Sequence, residues 1–247
     1  MAGRERLPGV FRRSFAIQGS WNFETLVGYG FAYALLPVLR VAYRDRPDEL
    51  ARALARHSRL FNTHPYLSPV ALGAVARLEV EGKPADTIER FKAAVRGALG
   101  GLGDRLVWAG WRPVCILTAI GGLLAGAHWW VVVVGFLVVY NIGHIGLRVW
   151  SFRVGWERST GIATTLRSSW VWEAERVLRA LGPALLGACV VLLLSRGTAH
   201  LNASSAGWVA AGAVAVVGGI ALGGRARRPL EVLLLILALT GYLWNLR

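Results

Sequence analysis

From Pro113 to Leu147 the chain carries no charged residue. At about 1.5 Å of helical rise per residue, this run is far longer than the ~30 Å hydrocarbon core of a bilayer requires. A soluble domain has no place to bury such a stretch, so it commits the chain to a membrane. Being longer than one crossing needs, it is expected to divide. Gly121-Gly122 and Gly126-Ala127-His128 supply the break, leaving a short segment and a longer one from Trp129 to Leu147. Trp129 and Trp130 suit an anchor at the membrane–water boundary. Asn141 and His144 fall inside the longer segment, placed to hydrogen-bond a neighbouring helix.

Composition agrees. The chain is 55% hydrophobic, with a mean hydropathy of +0.47 and a net charge of +14. Basic residues flanking apolar runs are a topology signal, and no RNA- or DNA-binding signature accompanies them, so nucleic acid is not an expected partner. Cys115 and Cys189 are far apart in apolar surroundings and read as small buried or lipid-facing residues. No metal-ligand spacing, nucleotide loop or nucleophile–base pair is present, so neither metal, cofactor nor catalytic residue is expected.

The first 112 residues differ in texture. Residues 1–14 are basic but lack the apolar core and cleavage site of a secretory signal. Leu7, Phe11 and Phe15 recur at helical spacing, which reads as a short amphipathic helix either lying on the membrane face or docked on the protein. From Ser20 to Leu39 a mostly apolar helix is expected, with Ser20 as N-cap and Phe23 and Glu24 in its first turn. Glu24 is then either stabilised by the helix N-terminus or a carboxylate at membrane depth facing a polar solute. Pro47 opens a further helix, with Leu50, Leu54, His57 and Phe61 on one face; His57 there reads as a packing histidine. Tyr66 to Leu78 is apolar but short for a span, which suits a re-entrant segment. Pro84 to Arg96 is amphipathic, and Gly97 to Asp104 is expected to end that helix in a turn, with Asp104 capping the next.

The stretch Phe61-Asn62-Thr63-His64-Pro65-Tyr66-Leu67-Ser68-Pro69 sits between these elements. Its two prolines each remove a backbone donor and disfavour helix at the preceding residue. Two readings stand. One is a turn and helix start, with Thr63 or His64 as N-cap, Pro65 at the first helical position and a new cap at Ser68. The other is a polar, non-helical patch, tolerated at membrane depth only where protein buries it or it lines a cavity.

Phe61-Asn62-Thr63-His64-Pro65, with His57 upstream, resembles the IID subunit of the mannose/fructose/sorbose family of bacterial sugar phosphotransferase systems. So do Gln18-Gly19-Ser20-Trp21-Asn22-Phe23-Glu24, followed by Gly30 to Pro37, and Gly100-Gly101-Leu102-Gly103-Asp104 leading to Trp108 and Arg112-Pro113. The likeness is strongest over about residues 10–113. The family usually has Pro after the Gly-Asp pair, where this chain has Arg105.

The resemblance implies a permease subunit that binds and translocates a hexose together with a IIC membrane subunit, coupled to phosphorylation by the cytoplasmic IIA and IIB phosphocarriers. It implies no phosphohistidine here and an assembly of several IIC–IID pairs, as a trimer. Asn62, Thr63, His64, Glu24 and Asn22 become the candidate sugar contacts. Gly19, Trp21, Pro65, Gly100, Gly103, Asp104, Arg112 and Pro113 become candidates for structural or translocation roles. A non-transporting scaffold or regulator derived from such a subunit is the alternative.

The expected fold is an all-α integral membrane protein. Amphipathic interfacial helices and re-entrant segments make up 1–112, and several transmembrane helices make up 113–247, including interfacial helices over 148–179. Later spans are expected at Ala206–Gly224 and Leu230–Leu246. The triple-Arg loop Arg225–Arg228 and the amino terminus are expected on the cytoplasmic side of the bacterial inner membrane, and Arg196–Ser205 outside.

Overall fold

The computed structural model describes residues 4–167 and 169–197. The expected spans at Ala206–Gly224 and Leu230–Leu246 and the triple-Arg loop lie outside them. The chain divides into two compact units, Met1–Leu185 and Leu186–Arg247. Among the described residues the secondary structure is helical apart from two isolated bridges.

The first helix, α1 (Leu7–Ser14), turns Val10 and Ser14 inward and sets Phe11 5.6 Å from Phe152. It is docked on protein. Helix α2 (Gly28–Ala42) begins eight residues later than the sequence suggests. Asn22 is the reason. Its Oδ1 accepts the Glu24 and Thr25 N–H groups at 3.0 and 2.9 Å, and its Nδ2 donates to Thr25 Oγ1 at 2.8 Å. Such an Asx turn competes directly with helix. Leu26, at φ +54°, then reverses the chain. Phe61 clamps the reversal: its carbonyl accepts from Val27 N–H at 3.1 Å and its own N–H donates to Thr25 O at 3.2 Å. Ser20 is therefore no helix cap.

Helix α3 (Pro47–Ser58) starts at Pro47 as expected. Helix α4 (Ser68–Val80) is the centre of the first unit, with nearly every residue buried. Its start differs from the expected capping. The His64 carbonyl accepts from Leu67 and Ser68 N–H, Ser68 Oγ donates to Pro65 O, and Pro65 to Leu67 form a turn. Pro69 takes the early helical position instead of Pro65.

Helix α5 (Ala85–Gly103) does not stop at its glycines. It passes into a π-helical stretch, Asp104–Trp111, and on into α6 (Arg112–Leu124), one rod of 40 residues. The expected turn at Gly97–Asp104 is absent, and two of its glycines serve packing instead: Gly103 lies against His64 and Gly100 faces Thr63. Of the two glycine sites the sequence offers for a break, Gly121-Gly122 stay inside α6 and the chain breaks at 125–128, with Gly126 at φ +94°, and α7 (Trp129–Arg158) follows. It continues past Leu147, because Arg148 is buried in a protein contact and does not mark a helix end. A 3-10 turn and the short α8 (Ile162–Arg167) lead to α9 (Val171–Gly197).

Helix α4 crosses α7 closely. A Cβ at Gly73 would meet Phe152 O, and one at Gly155 would meet Val70 O, so two small residues let the backbones touch. Among the described residues, three stretches, Ala85–Leu124, Trp129–Gly161 and Val171–Leu193, are long and apolar enough to cross a membrane. Their outward residues, such as Val134, Val138 and Ile142 of α7, are bare.

Candidate functional site

Two polar clusters sit among these helices, one at each end of α4. The first is anchored on Glu79, which is 3% exposed. Its Oε1 accepts from Arg56 Nη2 at 2.6 Å and His57 Nε2 at 2.7 Å, and its Oε2 accepts from Tyr43 OH at 2.6 Å. Burial alone would raise the carboxyl pKa, but the hydrogen bonds from His57, Tyr43 and Arg56 outweigh it and hold Glu79 at about 2. Burial pushes the His57 pKa down to about 4, so the ring is a neutral donor to the carboxylate. Arg56 supplies the compensating charge. Lys92 Nζ donates to Arg56 O at 3.1 Å and lies 5.5 Å from the Phe31 ring. All three groups that meet the Glu79 carboxylate are engaged, although Arg56 Nε and His57 Nδ1 keep no partner, and the cluster pins α3 to α4. His57 is the packing histidine the sequence suggests, and its partner Glu79 looks in sequence like the mere end of an apolar run.

The second cluster surrounds Thr63 and His64. With α3 pinned at His57 and α4 starting at Ser68, residues 62–64 run without helix into the Pro65–Leu67 turn, Thr63 lying against Gly100 and His64 against Gly103 of α5. Thr63 is 5% and His64 2% exposed, while Asn62 is exposed. Tyr66 N–H donates to His64 Nδ1 at 3.2 Å. The lone pair is therefore at Nδ1 and the proton at Nε2. Burial, helped by Arg148 and His144, takes the His64 pKa down to about 4. Nε2–H is thus a neutral donor, and it has no partner; Thr63 Oγ1 has none either. Unpartnered polar groups on two consecutive buried residues are unusual, since such groups are nearly always paired.

Aromatic rings close the cluster. Trp108, on the π-helical stretch, meets the His64 imidazole edge-on at 5.0 Å and keeps 38% of its surface open. The Arg112 guanidinium lies over the Trp108 ring, 4.8 Å from its centroid. A π-helical stretch of this kind often marks a functional place in a helix. Tyr66 stacks on His144 at 3.9 Å and shares a 2.8 Å hydrogen bond with Tyr140 OH.

The remaining sequence candidates are distributed as follows. Asn22 is engaged in its Asx turn, and Glu24 is exposed beside it. That turn is joined to the Asn62 segment through the Phe61 backbone pairing. Trp21, half-exposed, packs on Phe23 at 4.9 Å. Gly19 lies in the turn after α1, Pro65 is buried, Asp104 is exposed on the π-helical stretch, and Pro113 opens α6. Sequence reasoning does not reach Tyr66, Tyr140 and Arg148. The one local signal for Arg148 is its position one helical turn after His144.

The fold and this site define a multi-pass helical membrane protein carrying unpaired polar groups at a helix break. The family described as the PTS system mannose/fructose/sorbose family IID component matches residues 3–208. The mannose-specific EIID component of Escherichia coli is 28% identical over 187 residues, 74% of this chain and 65% of the relative. The sorbose-specific EIID component of Lacticaseibacillus casei is 30% identical over 178 residues, 70% of this chain and 62% of the relative. The chain thus spans less than two thirds of the length of these two relatives. Among solved structures, the cryo-EM structure of the mannose transporter ManYZ in complex with a microcin superposes with a TM-score of 0.60 at 26% identity, covering 76% of this chain and 69% of that one. The chain belongs to the mannose/fructose/sorbose family of phosphotransferase-system IID components.

Proposed function

We propose that this IID chain binds and translocates a hexose together with a IIC membrane subunit, with phosphorylation supplied by cytoplasmic IIA and IIB carriers. One observation carries the reading: the buried, unpartnered His64 Nε2–H on a ring that meets the partly exposed Trp108, with the unpartnered Thr63 Oγ1 on the residue before it. A sugar hydroxyl both donates and accepts, so it satisfies a hydroxyl and an imidazole N–H at once. An aromatic ring suits the C–H face of a pyranose. Asn62 adds an exposed amide, and Glu24 adds a carboxylate at the rim, on the loop that Asn22 shapes. The names of the relatives, mannose- and sorbose-specific, support a hexose.

In this reading the chain lies in the bacterial inner membrane with its amino terminus in the cytoplasm. It assembles as several IIC–IID pairs, as a trimer. The bare apolar faces of α6 and α7 supply surface for IIC and lipid. Uptake of labelled hexoses by cells expressing this chain with its IIC, IIA and IIB partners tests the function. Uptake and phosphorylation of one hexose that vanish without this chain support it; uptake equal with and without the chain overturns it.

A further inference from the structure

Arg148 is the anomaly of the fold. It lies in a spanning helix, is 3% exposed, and has no carboxylate partner among the described residues. A buried cation without a counter-ion is costly, and ionisable residues in spanning helices mark function more often than packing. Neutral groups alone hold this one. Nη1 donates to Ser14 O at 3.0 Å, Nε donates to His144 Nε2 at 2.8 Å, and the guanidinium lies over the Phe15 and Tyr66 rings at 4.6 and 5.3 Å.

Two of these contacts lead toward the sugar site. The hydrogen bond to His144 fixes that ring, which stacks on Tyr66 at 3.9 Å with only 15° between the planes. Tyr66 is therefore held on one face by His144, under the guanidinium, and at its hydroxyl by Tyr140. It is the backbone N–H of this same Tyr66 that occupies His64 Nδ1. If Tyr66 shifts, Nδ1 is released, the tautomer is no longer fixed, and Nε2 is free to become an acceptor.

We propose that Arg148 is a positioning residue for sugar binding: acting through His144 and Tyr66, it holds His64 as an Nε2–H donor facing the sugar. This rests on the sugar-binding reading of Thr63 and His64. A bare structural role, tying α1 to α7 through Ser14, makes no demand on the His64 proton. A lysine at 148 keeps the charge but not the planar fork that reaches Ser14 and His144 together.

The test uses the purified IIC–IID complex labelled with 15N-histidine, the His64 signals being assigned by their loss in His64→Ala. In the unsubstituted protein Nδ1 is bare and Nε2 protonated. In Arg148→Gln and Arg148→Lys a second population protonated at Nδ1 is expected. Sugar affinity is measured in parallel as a double-mutant cycle. Arg148→Gln is expected to weaken binding roughly tenfold in the native background and less than about twofold in His64→Ala, as expected for the loss of one buried hydrogen bond. Should Arg148→Gln fail to assemble, Arg148→Lys carries the cycle with the same pattern. Unaltered His64 signals, or equal losses in both backgrounds, overturn the proposal. An affinity untouched by His64→Ala overturns the site reading and this inference with it. That outcome is distinct from failure of the inference alone, in which His64→Ala weakens binding and the Arg148 effect persists beside it.

Discussion

The His64 imidazole rests directly on Gly103: a Cβ there would overlap His64 Cβ and Cγ. The glycine stands inside a continuous helix, where it costs about 1 kcal/mol relative to alanine. Alanine at 103 should therefore displace His64 despite its better helix propensity. We expect Gly103→Ala to reduce sugar affinity by an order of magnitude or lower the yield of assembled complex. Gly97→Ala, with open space at its Cβ, should do neither. Binding to purified variants, alongside size-exclusion yield, checks the pair; equal behaviour of the two would show that the contact is not tight.

Glu79 makes a different prediction, about stability. Removing one partner of a buried ion pair costs about 3–5 kcal/mol, because the other charge stays buried without compensation. Glu79→Ala should thus unfold at markedly lower temperature in detergent, followed by tryptophan fluorescence. The pH dependence has a definite sign. Glu79 titrates at about 2, below its ordinary value of 4.5, and His57 at about 4, below its ordinary 6.5. For both groups the unfolded chain binds more protons than the folded one between the two values. Stability is then full above about pH 6.5 and falls on acidification, first as unfolded His57 protonates and then as Glu79 is driven toward its carboxylic acid. In Glu79→Ala the second part of this loss, below pH 4.5, should flatten.

The α4–α7 crossing gives a third. Gly73 and Gly155 let backbone meet backbone, and a side chain at either place strikes a carbonyl that has nowhere to go. Gly155→Val should separate the helices and carry Tyr66 away from Tyr140 and His144, so both yield and sugar affinity should fall. Gly146→Val on the same helix, where nothing lies within reach, should assemble normally. Expression with detergent extraction reads this directly, and normal assembly of Gly155→Val would show that the crossing is loose.

Much of this architecture is legible in the sequence, and the failures have a common cause. Uncharged residues 113–147 declare a membrane run that must divide, and the break at Gly126 falls where glycine permits a positive φ. Pro47 with its acidic first turn starts α3 on schedule. Local pattern misleads where a distant partner decides. Gly97–Gly103 has the composition of a turn, yet the rod continues, and two of its glycines, Gly100 and Gly103, lie against a segment about forty residues earlier. Ser20 resembles a cap, but Asn22 closes a turn that Phe61 completes. Arg148 resembles the charged end of a span; Ser14, Phe15 and Tyr66, remote in sequence, bury it. The site shows the same division. Asn62, Thr63 and His64 stand out as polar residues just ahead of two prolines, whereas the tyrosines behind them have no local mark and Arg148 has only its place one helical turn after His144.

Thr63 offers the sharpest test of the site, because stability and binding should move in opposite directions. Its Oγ1 is buried without a hydrogen bond. An unmade buried hydrogen bond costs about 1–3 kcal/mol, and replacing the hydroxyl by a methyl of similar shape removes that cost. Thr63→Val should therefore leave the complex at least as stable to heat, and more stable if no sugar is present. On the proposed site the same substitution removes the group assigned to a sugar hydroxyl, so affinity should drop by roughly five- to hundredfold. Thr63→Ser keeps the hydroxyl and should retain most of the affinity, while losing the small packing contribution of the methyl. A purely structural Thr63, serving as a helix cap, requires the reverse: Val destabilises and binding in the surviving complex is unchanged. Thermal unfolding and equilibrium sugar binding on the three proteins decide the matter, and a Thr63→Val variant that is less stable with normal affinity overturns the assignment of this residue to the sugar.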